Sequence, residues 1–158
     1  MASFFPIGEK DMLEPDIRWP ERKQVDDTLR EVVLRNTGYA DSLGNLDKRI
    51  RVWLLSECPG DTAYSLFLVN GTEGDRDDAV WLMLRQGNAI VARTMVAALQ
   101  TSCESTFLRG SQVIGSDTIE MRQLTHVFDC AADTFLRTDT LTSVRVRVHA
   151  DHIEDILE

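Results

Sequence analysis

Apolar residues early in the chain recur at the spacing of a helix. Val25, Leu29, Val32 and Val33 lie at intervals that place them on one helical face. Asp26 stands at the beginning of this stretch, and its carboxylate can accept hydrogen bonds from the free N–H groups of a first helical turn. The pattern predicts a short helix that begins near residue 25.

Short apolar runs between turn residues predict strands. Asn70-Gly71 separates two of these runs and is a strong signal for a tight hairpin. Because consecutive strands joined by tight turns pair in opposite directions, we expect an antiparallel sheet. The runs lie at residues 49–55, 63–69, 79–84, 106–114, 118–128 and 141–149.

Two later segments have patterns that favour helices. Residues 89–100 are apolar on almost every side and follow Gly87-Asn88, which we interpret as the start of a buried helix. Residues 151–157 are amphipathic and predict a short terminal helix. Since helices and strands do not alternate one by one, the order indicates an α+β fold rather than a βαβ fold.

The predicted fold is therefore a mainly antiparallel sheet of about five to six strands, packed with two to three short helices. An extended N-terminal arm precedes it. Apolar strand runs and the apolar stripe of the second helix supply the expected core. The expected core residues are Leu54, Leu66, Leu68, Leu82, Leu84, Val91, Met95 and Leu99.

The first 24 residues differ in composition from the remainder of the chain. They contain three of the four prolines, which exclude a regular helix. They also carry more large apolar side chains than a disordered tail usually does. We predict a docking arm over residues 1–24, favouring a neighbouring subunit as its site, and a single α+β domain over residues 25–158. The expected contact residues of the arm are Phe4, Phe5, Ile7 and Trp19.

Charge narrows the expected partners. The chain has 26 acidic and 17 basic residues, a formal net charge of −9. Such a chain is repelled by nucleic-acid phosphates and by anionic lipids, and no apolar stretch approaches the roughly 18 residues of a membrane-spanning helix. We expect no direct nucleic-acid or membrane partner. A partner that the charge attracts should be basic.

Three cysteines, Cys58, Cys103 and Cys130, are odd in number and far apart in the sequence. A disulfide framework usually has an even set, and no two of these cysteines have the spacing of zinc ligands. The first residues also lack the basic flank and the long apolar run of a signal peptide. We therefore predict no structural disulfide and a cytoplasmic or other reducing compartment.

Candidate chemical groups all have simpler structural explanations. His149 and His152 stand near acidic residues but lack a third ligand at a recognisable spacing. His126 and Cys130 would lie roughly 13 Å apart on a regular strand, too far for a Cys–His pair. The acidic segment 73–78 lacks the ligand spacing of a calcium loop. We expect no catalytic residues, no metal and no cofactor.

Arg145 and Arg147 alternate with valines, so that the two arginines share one face of a predicted strand. This charged strand face is a candidate for contact with a phosphate or with a carboxylate-rich partner. The more common role of such a face is to block pairing between exposed sheet edges.

These patterns favour a non-enzymatic structural or assembly subunit that self-associates and contacts other protein subunits. The predicted element order is similar, in architecture alone, to small phage tail- and connector-type proteins, and a virion, tail or neck component would fit it. Two alternatives stay open. One is an acidic cytosolic binding protein for a basic partner, such as an immunity protein or a secretion chaperone. The other is a small enzyme whose site forms only in the fold.

Overall fold

Nine antiparallel strands in chain order form one sheet over residues 22–156, the part of the chain that the computed structural model describes. One helix in this range, α1 (Asp27–Arg35), lies between the first two strands. The strands are β1 (Lys23–Gln24), β2 (Arg51–Cys58), β3 (Ala63–Asn70), β4 (Arg76–Gln86), β5 (Ala89–Thr101), β6 (Ser105–Ile114), β7 (Thr118–Asp129), β8 (Thr134–Val148) and β9 (Ile153–Ile156).

Helix α1 begins where its sequence predicts. The Leu29 N–H donates a hydrogen bond of 2.8 Å to the Asp26 carboxylate, which satisfies one of the free donors of the first turn. Val33 and Leu34 on its apolar face are completely buried. The predicted first helix is therefore confirmed.

Apolar side chains fill both faces of the sheet, but unequally. The larger front cluster draws on β3 through β8, and the smaller back cluster joins α1 to β2, β3 and β4. The front cluster consists of Leu66, Leu68, Val80, Leu82, Leu84, Val96, Ala97, Leu99, Leu108, Ile119, Met121, Val146 and Val148. The back cluster consists of Val33, Leu34, Ile50, Val52, Phe67, Val69 and Met83.

The sheet curves strongly around the front cluster. Neighbouring strands lie about 4.8 Å apart, so β5 and β9 would be roughly 19 Å apart in a flat sheet. The two strands nevertheless contact each other. The pairing of β5 with β6 is short and ends at Ala98 and Arg109, their last directly opposite pair. There the Arg109 side chain donates hydrogen bonds to the Met95 carbonyl at 3.0 Å and to Gln123 at 2.6 Å.

The predicted α+β fold is wrong, and so are its five to six strands and two to three helices. The largest error is residues 89–100, which form most of β5 instead of a buried helix. Gly87-Asn88 is a two-residue hairpin turn, because Gln86 and Ala89 pair directly. Register shifts in the pairing with β4 interrupt the alternation of β5 at two places. Bulges of this kind break the two-residue period, so the apolar positions resemble a helical stripe.

The chain end also differs from its prediction. Ile153–Ile156 form β9 and pair antiparallel with β8, from Arg145 opposite Ile156 to Val148 opposite Ile153. A seven-residue segment has little helical stability of its own, so pairing with an available strand edge determines its conformation.

The expected core is largely correct in position. Leu66, Leu68, Leu82, Leu84 and Leu99 are buried in the front cluster. The other three expected core residues differ: Leu54 and Met95 are only partly buried, and Val91 is 38% exposed.

Most of the predicted arm, including Phe4, Phe5, Ile7 and Trp19, lies outside the described residues. Within the arm, Lys23 and Gln24 form β1 and pair with Leu54 and Trp53 of β2. In the described part of the chain, no helix has both the length and the hydropathy to cross a membrane.

Two alanine substitutions distinguish β5 from the helix that the sequence pattern favoured. Leu99→Ala removes a buried side chain from the front cluster and should lower the free energy of unfolding by about 2–5 kcal/mol. Val91→Ala alters an exposed position and should cost less than about 1 kcal/mol. Urea denaturation of both variants measures the difference, and equal losses would contradict the strand assignment.

Candidate interaction surface

The most exposed part of the described sheet is the hairpin between β7 and β8. Every residue from 129 to 140 is exposed. The turn is held at its start by Asp129, whose carboxylate accepts hydrogen bonds from the Ala131 and Ala132 N–H groups at 3.0 and 3.2 Å. Asp133 completes the turn with a φ of 49°, a left-handed conformation that aspartate tolerates better than most residues.

An aromatic patch, made up of His126, Phe128 and Phe135, covers one face of this hairpin. Phe128 and Phe135 lie directly opposite each other, with ring centroids 5.9 Å apart in an edge-to-face arrangement. The His126 ring lies 6.2 Å from Phe135, and its Nδ1 is 2.8 Å from the Thr138 hydroxyl. Phe135 is nevertheless 58% exposed and its neighbour Leu136 is 55% exposed.

The aromatic patch continues the apolar face of the core. Leu124 packs against the front cluster, and side chains two residues apart on a strand point to the same face. His126 and Phe128 therefore lie on the same face of β7 as Leu124, nearer the end of the strand. Large apolar side chains exposed in this way are typical of surfaces that contact another molecule.

A disulfide between Cys103 and Cys130 fastens the turn of the hairpin to a neighbouring turn. It joins the turn between β5 and β6 to the end of β7, with the Cα atoms 5.2 Å apart. Beside it, the Phe128 N–H donates a hydrogen bond of 2.8 Å to the Glu104 carbonyl. The prediction of no structural disulfide is therefore wrong for this pair. Cys58 is a free cysteine, partly buried against the front cluster.

Strand register carries a signal for this disulfide that cysteine counting misses. Residues 106–114 and 118–128 are both predicted strands, and the turn between them sets Ile114 opposite Thr118. The same register continues to Ser105 opposite Val127. If this register is extended by two more residue pairs, Cys103 lies opposite Asp129, one residue from Cys130.

The outer edge of β8 is the second feature of this surface. β9 pairs only with Arg145 through Val148. Within residues 22–156, no strand pairs with the outer edge of β8 from Thr134 to Val144. Unpaired edges of this length expose backbone N–H and carbonyl groups that can pair with another strand.

Alternating charges mark the middle of this edge. The Arg137 Nε lies 3.4 Å from the Asp139 carboxylate on the same strand. The two side chains are 63% and 59% exposed, so water competes strongly for their pairing.

Arg145 and Arg147 lie on β8 as predicted, but at the end of the strand that is far from the hairpin turn. Arg145 donates a 2.9 Å hydrogen bond to Glu120, which lies directly opposite it on β7. Arg147 lies 3.8 Å from Asp117. Both arginines belong to the part of β8 that β9 covers, so they do not lie on an open sheet edge. Their role in partner binding stays a prediction.

Glu120 is the buried member of this charged row. It is 6% exposed and also accepts a hydrogen bond from the Gln112 amide at 3.2 Å. The hydrogen bond from Arg145 is the main reason that the pKa of Glu120 lies below its usual value of 4.5. The row Gln112–Glu120–Arg145 therefore links β6, β7 and β8 by polar contacts and leaves little free charge for an external phosphate.

His149 and His152 meet at the turn between β8 and β9. Their rings stack with centroids 4.1 Å apart. Each ring contacts a different carboxylate through one of its nitrogens. His149 Nε2 lies 3.0 Å from Glu154, and His152 Nδ1 lies 2.6 Å from Asp151. These contacts are the first cause of the lowered pKa of both carboxyl groups. Among the described residues, no group of three or more histidine, cysteine or acidic side chains is placed so that it could hold a metal ion.

The remaining candidate groups have structural roles. Cys130 is bonded to Cys103 and is therefore not a free thiol beside His126. In the acidic segment, Asp77 is 7% exposed and accepts a 2.8 Å hydrogen bond from the Gln100 amide.

Known proteins supply no template for this surface: no protein-family model, no curated protein and no solved structure matches the chain. The case for a function rests on the exposed hairpin and on the outer edge of β8.

The Cys103–Cys130 bond should be detectable in the purified protein. Intact-mass measurement should show a gain of two hydrogens on reduction. A Cys103→Ser/Cys130→Ser double variant should unfold at lower temperature, because a native disulfide typically contributes about 2–4 kcal/mol. Cys58→Ser is the matched control and should leave the mass shift intact. An unchanged mass on reduction would contradict the disulfide.

Proposed function

We propose that the protein is a non-enzymatic assembly subunit that associates with copies of itself through protein–protein contacts. The observation that carries the proposal is the exposed β7–β8 hairpin, in which the aromatic patch lies beside the unpaired edge of β8. The two features offer apolar area and backbone hydrogen-bonding groups in the same place.

The energetics of the hairpin favour a covered state. Burying a side chain such as Phe135 or Leu136 stabilises a complex by roughly 1.5–3 kcal/mol if it is fully removed from water. Pairing the edge of β8 satisfies backbone groups that water otherwise hydrates, and main-chain hydrogen bonds are a common source of affinity in strand addition. A contact that covers both features therefore combines two independent contributions.

The N-terminal arm extends the same proposal. Phe4, Phe5, Ile7 and Trp19 offer large apolar side chains, and the prolines of the arm limit its freedom before docking. Docking of the arm on a neighbouring subunit would add a second contact between copies. The described hairpin and the arm are far apart in the sequence, so each can be altered without the other.

The narrower idea of a virion, tail or neck component loses its structural support. It drew on an element order with a helix at residues 89–100, and that segment is β5. The proposal is therefore self-assembly, without a named particle.

A basic partner is the alternative that one observation favours. Asp129, Asp133 and Asp139 are exposed on the same hairpin as the aromatic patch, while Arg137 is the basic residue among them. A hairpin that exposes both acidic and apolar side chains suits a partner with basic and apolar groups.

The cellular compartment of the protein is also a proposal. Separated cysteines favoured the cytoplasm or another reducing compartment, and the Cys103–Cys130 bond weighs slightly against it.

The molar mass of the native protein tests the proposal. Size-exclusion chromatography with light scattering should give a mass that is a multiple of the 17.9 kDa chain and that falls on dilution. A variant that lacks residues 1–21 should keep the circular dichroism of a β-rich fold and should assemble less well. It retains Lys23 and Gln24, so β1 is preserved.

Three outcomes are informative. A monomer at every concentration would overturn self-assembly, and its capture by a basic protein would favour the alternative. A truncated protein with the full native mass would remove the arm from the assembly contact. A truncated protein that unfolds would assign the arm to its own core.

A further inference from the structure

From the charges on its outer edge, we infer that β8 pairs antiparallel with β8 of a second copy, about a twofold axis at Thr138. The inference rests on the proposed function and names its partner surface. The stretch of β8 that takes part is its regular segment next to the hairpin turn.

Two irregularities limit this stretch. Opposite β7, the register shifts between Phe135 and Arg137, and again between Leu141 and Val144. Arg137 through Leu141 pair with β7 without interruption. A straight run of this kind can add a further strand, whereas bulges tend to twist an edge away from a partner.

Charge selects the register. With Thr138 on the twofold axis, Arg137 of each copy lies opposite Asp139 of the other, which creates two cross-strand ion pairs. Opposite charges at directly paired positions stabilise a sheet, and like charges there destabilise it. An axis at Asp139 would place two carboxylates opposite each other. The sequence of charges is therefore self-complementary in one register and repulsive in its neighbour.

A twofold contact needs this kind of self-complementarity, because the same patch serves on both sides. Arg137 and Asp139 already form a loose pair within the chain at 3.4 Å, and both remain largely exposed. Pairing with a second copy would exchange this loose contact for two cross-strand pairs.

The twofold axis stands perpendicular to the joined sheet, so the front faces of both copies point to the same side. Both aromatic patches would then lie on one continuous surface around the axis. The joined edge thereby brings together apolar area that each copy exposes alone.

Charge inversion tests the register. Arg137→Asp and Asp139→Arg should each weaken self-association at least about tenfold, since both cross-strand pairs become repulsive. The double variant Arg137→Asp/Asp139→Arg restores opposite charges across the axis and should return the dissociation constant to within about threefold of the native value. Sedimentation equilibrium measures these constants. Arg93→Asp, at an exposed position of β5, makes the same charge change as Arg137→Asp and should have little effect.

Cross-linking tests the axis independently of charge. In a Cys58→Ser background, Thr138→Cys should form a disulfide-linked dimer on mild oxidation, because directly opposite side chains have Cβ atoms about 4.5–5.5 Å apart. Thr140→Cys is the matched control: it lies four residues out of register with its own copy, roughly 14 Å away, and should not cross-link.

The outcomes separate this inference from the proposed function. If the native protein assembles but charge inversion has no effect and Thr138→Cys does not cross-link, the β8 contact is wrong and self-assembly stands. If the native protein is a monomer at every concentration, both are overturned. Loss in the single variants without recovery in the double variant would contradict the Thr138 register.

Discussion

Burial of the front cluster is the interaction on which this fold depends. A single antiparallel sheet has two faces to cover, and α1 is the one helix that the described residues provide. It covers part of the back face over β2, β3 and β4. The front face is covered by the sheet itself, which curves until β9 contacts β5. The inward side chains of β3 through β8 then form one continuous cluster.

This way of covering a sheet has a consequence at its ends. The front cluster draws on the parts of β7 and β8 that lie away from their shared turn, at Ile119 and Met121 and at Val146 and Val148. Apolar side chains continue along the two strands beyond the front cluster. Leu124 packs against the cluster, whereas Phe135, which lies opposite Phe128, is exposed. The Cys103–Cys130 bond fastens the hairpin where packing no longer does. The exposed surface is thus a continuation of the core, which is the physical reason to expect a partner there.

Sequence patterns predicted the parts of the fold that depend on local signals. Asp26 and the apolar spacing after it located α1, and turn dipeptides such as Asn70-Gly71 located hairpins. Local signals failed where a long-range contact determines the conformation. Bulges in β5 disguised a strand as a helix, and β9 exists because the edge of β8 accepts it. The aromatic patch was missed because the exposure of a side chain depends on where the packed core ends, which a local pattern does not show. Arg145 was chosen as a candidate contact residue, although Glu120 neutralises its charge.

Hydrogen–deuterium exchange at two protein concentrations tests the central claim most directly. The claim is that the outer edge of β8 is covered when copies of the chain associate. Within residues 134–144, the backbone amides that point away from β7 should exchange slowly at a concentration where the protein assembles and quickly after dilution to the monomer. Amides of β3, which are paired on both sides in each copy, should be protected under both conditions. Equal, rapid exchange of these outward-pointing amides in the assembled and the dilute protein would contradict the account.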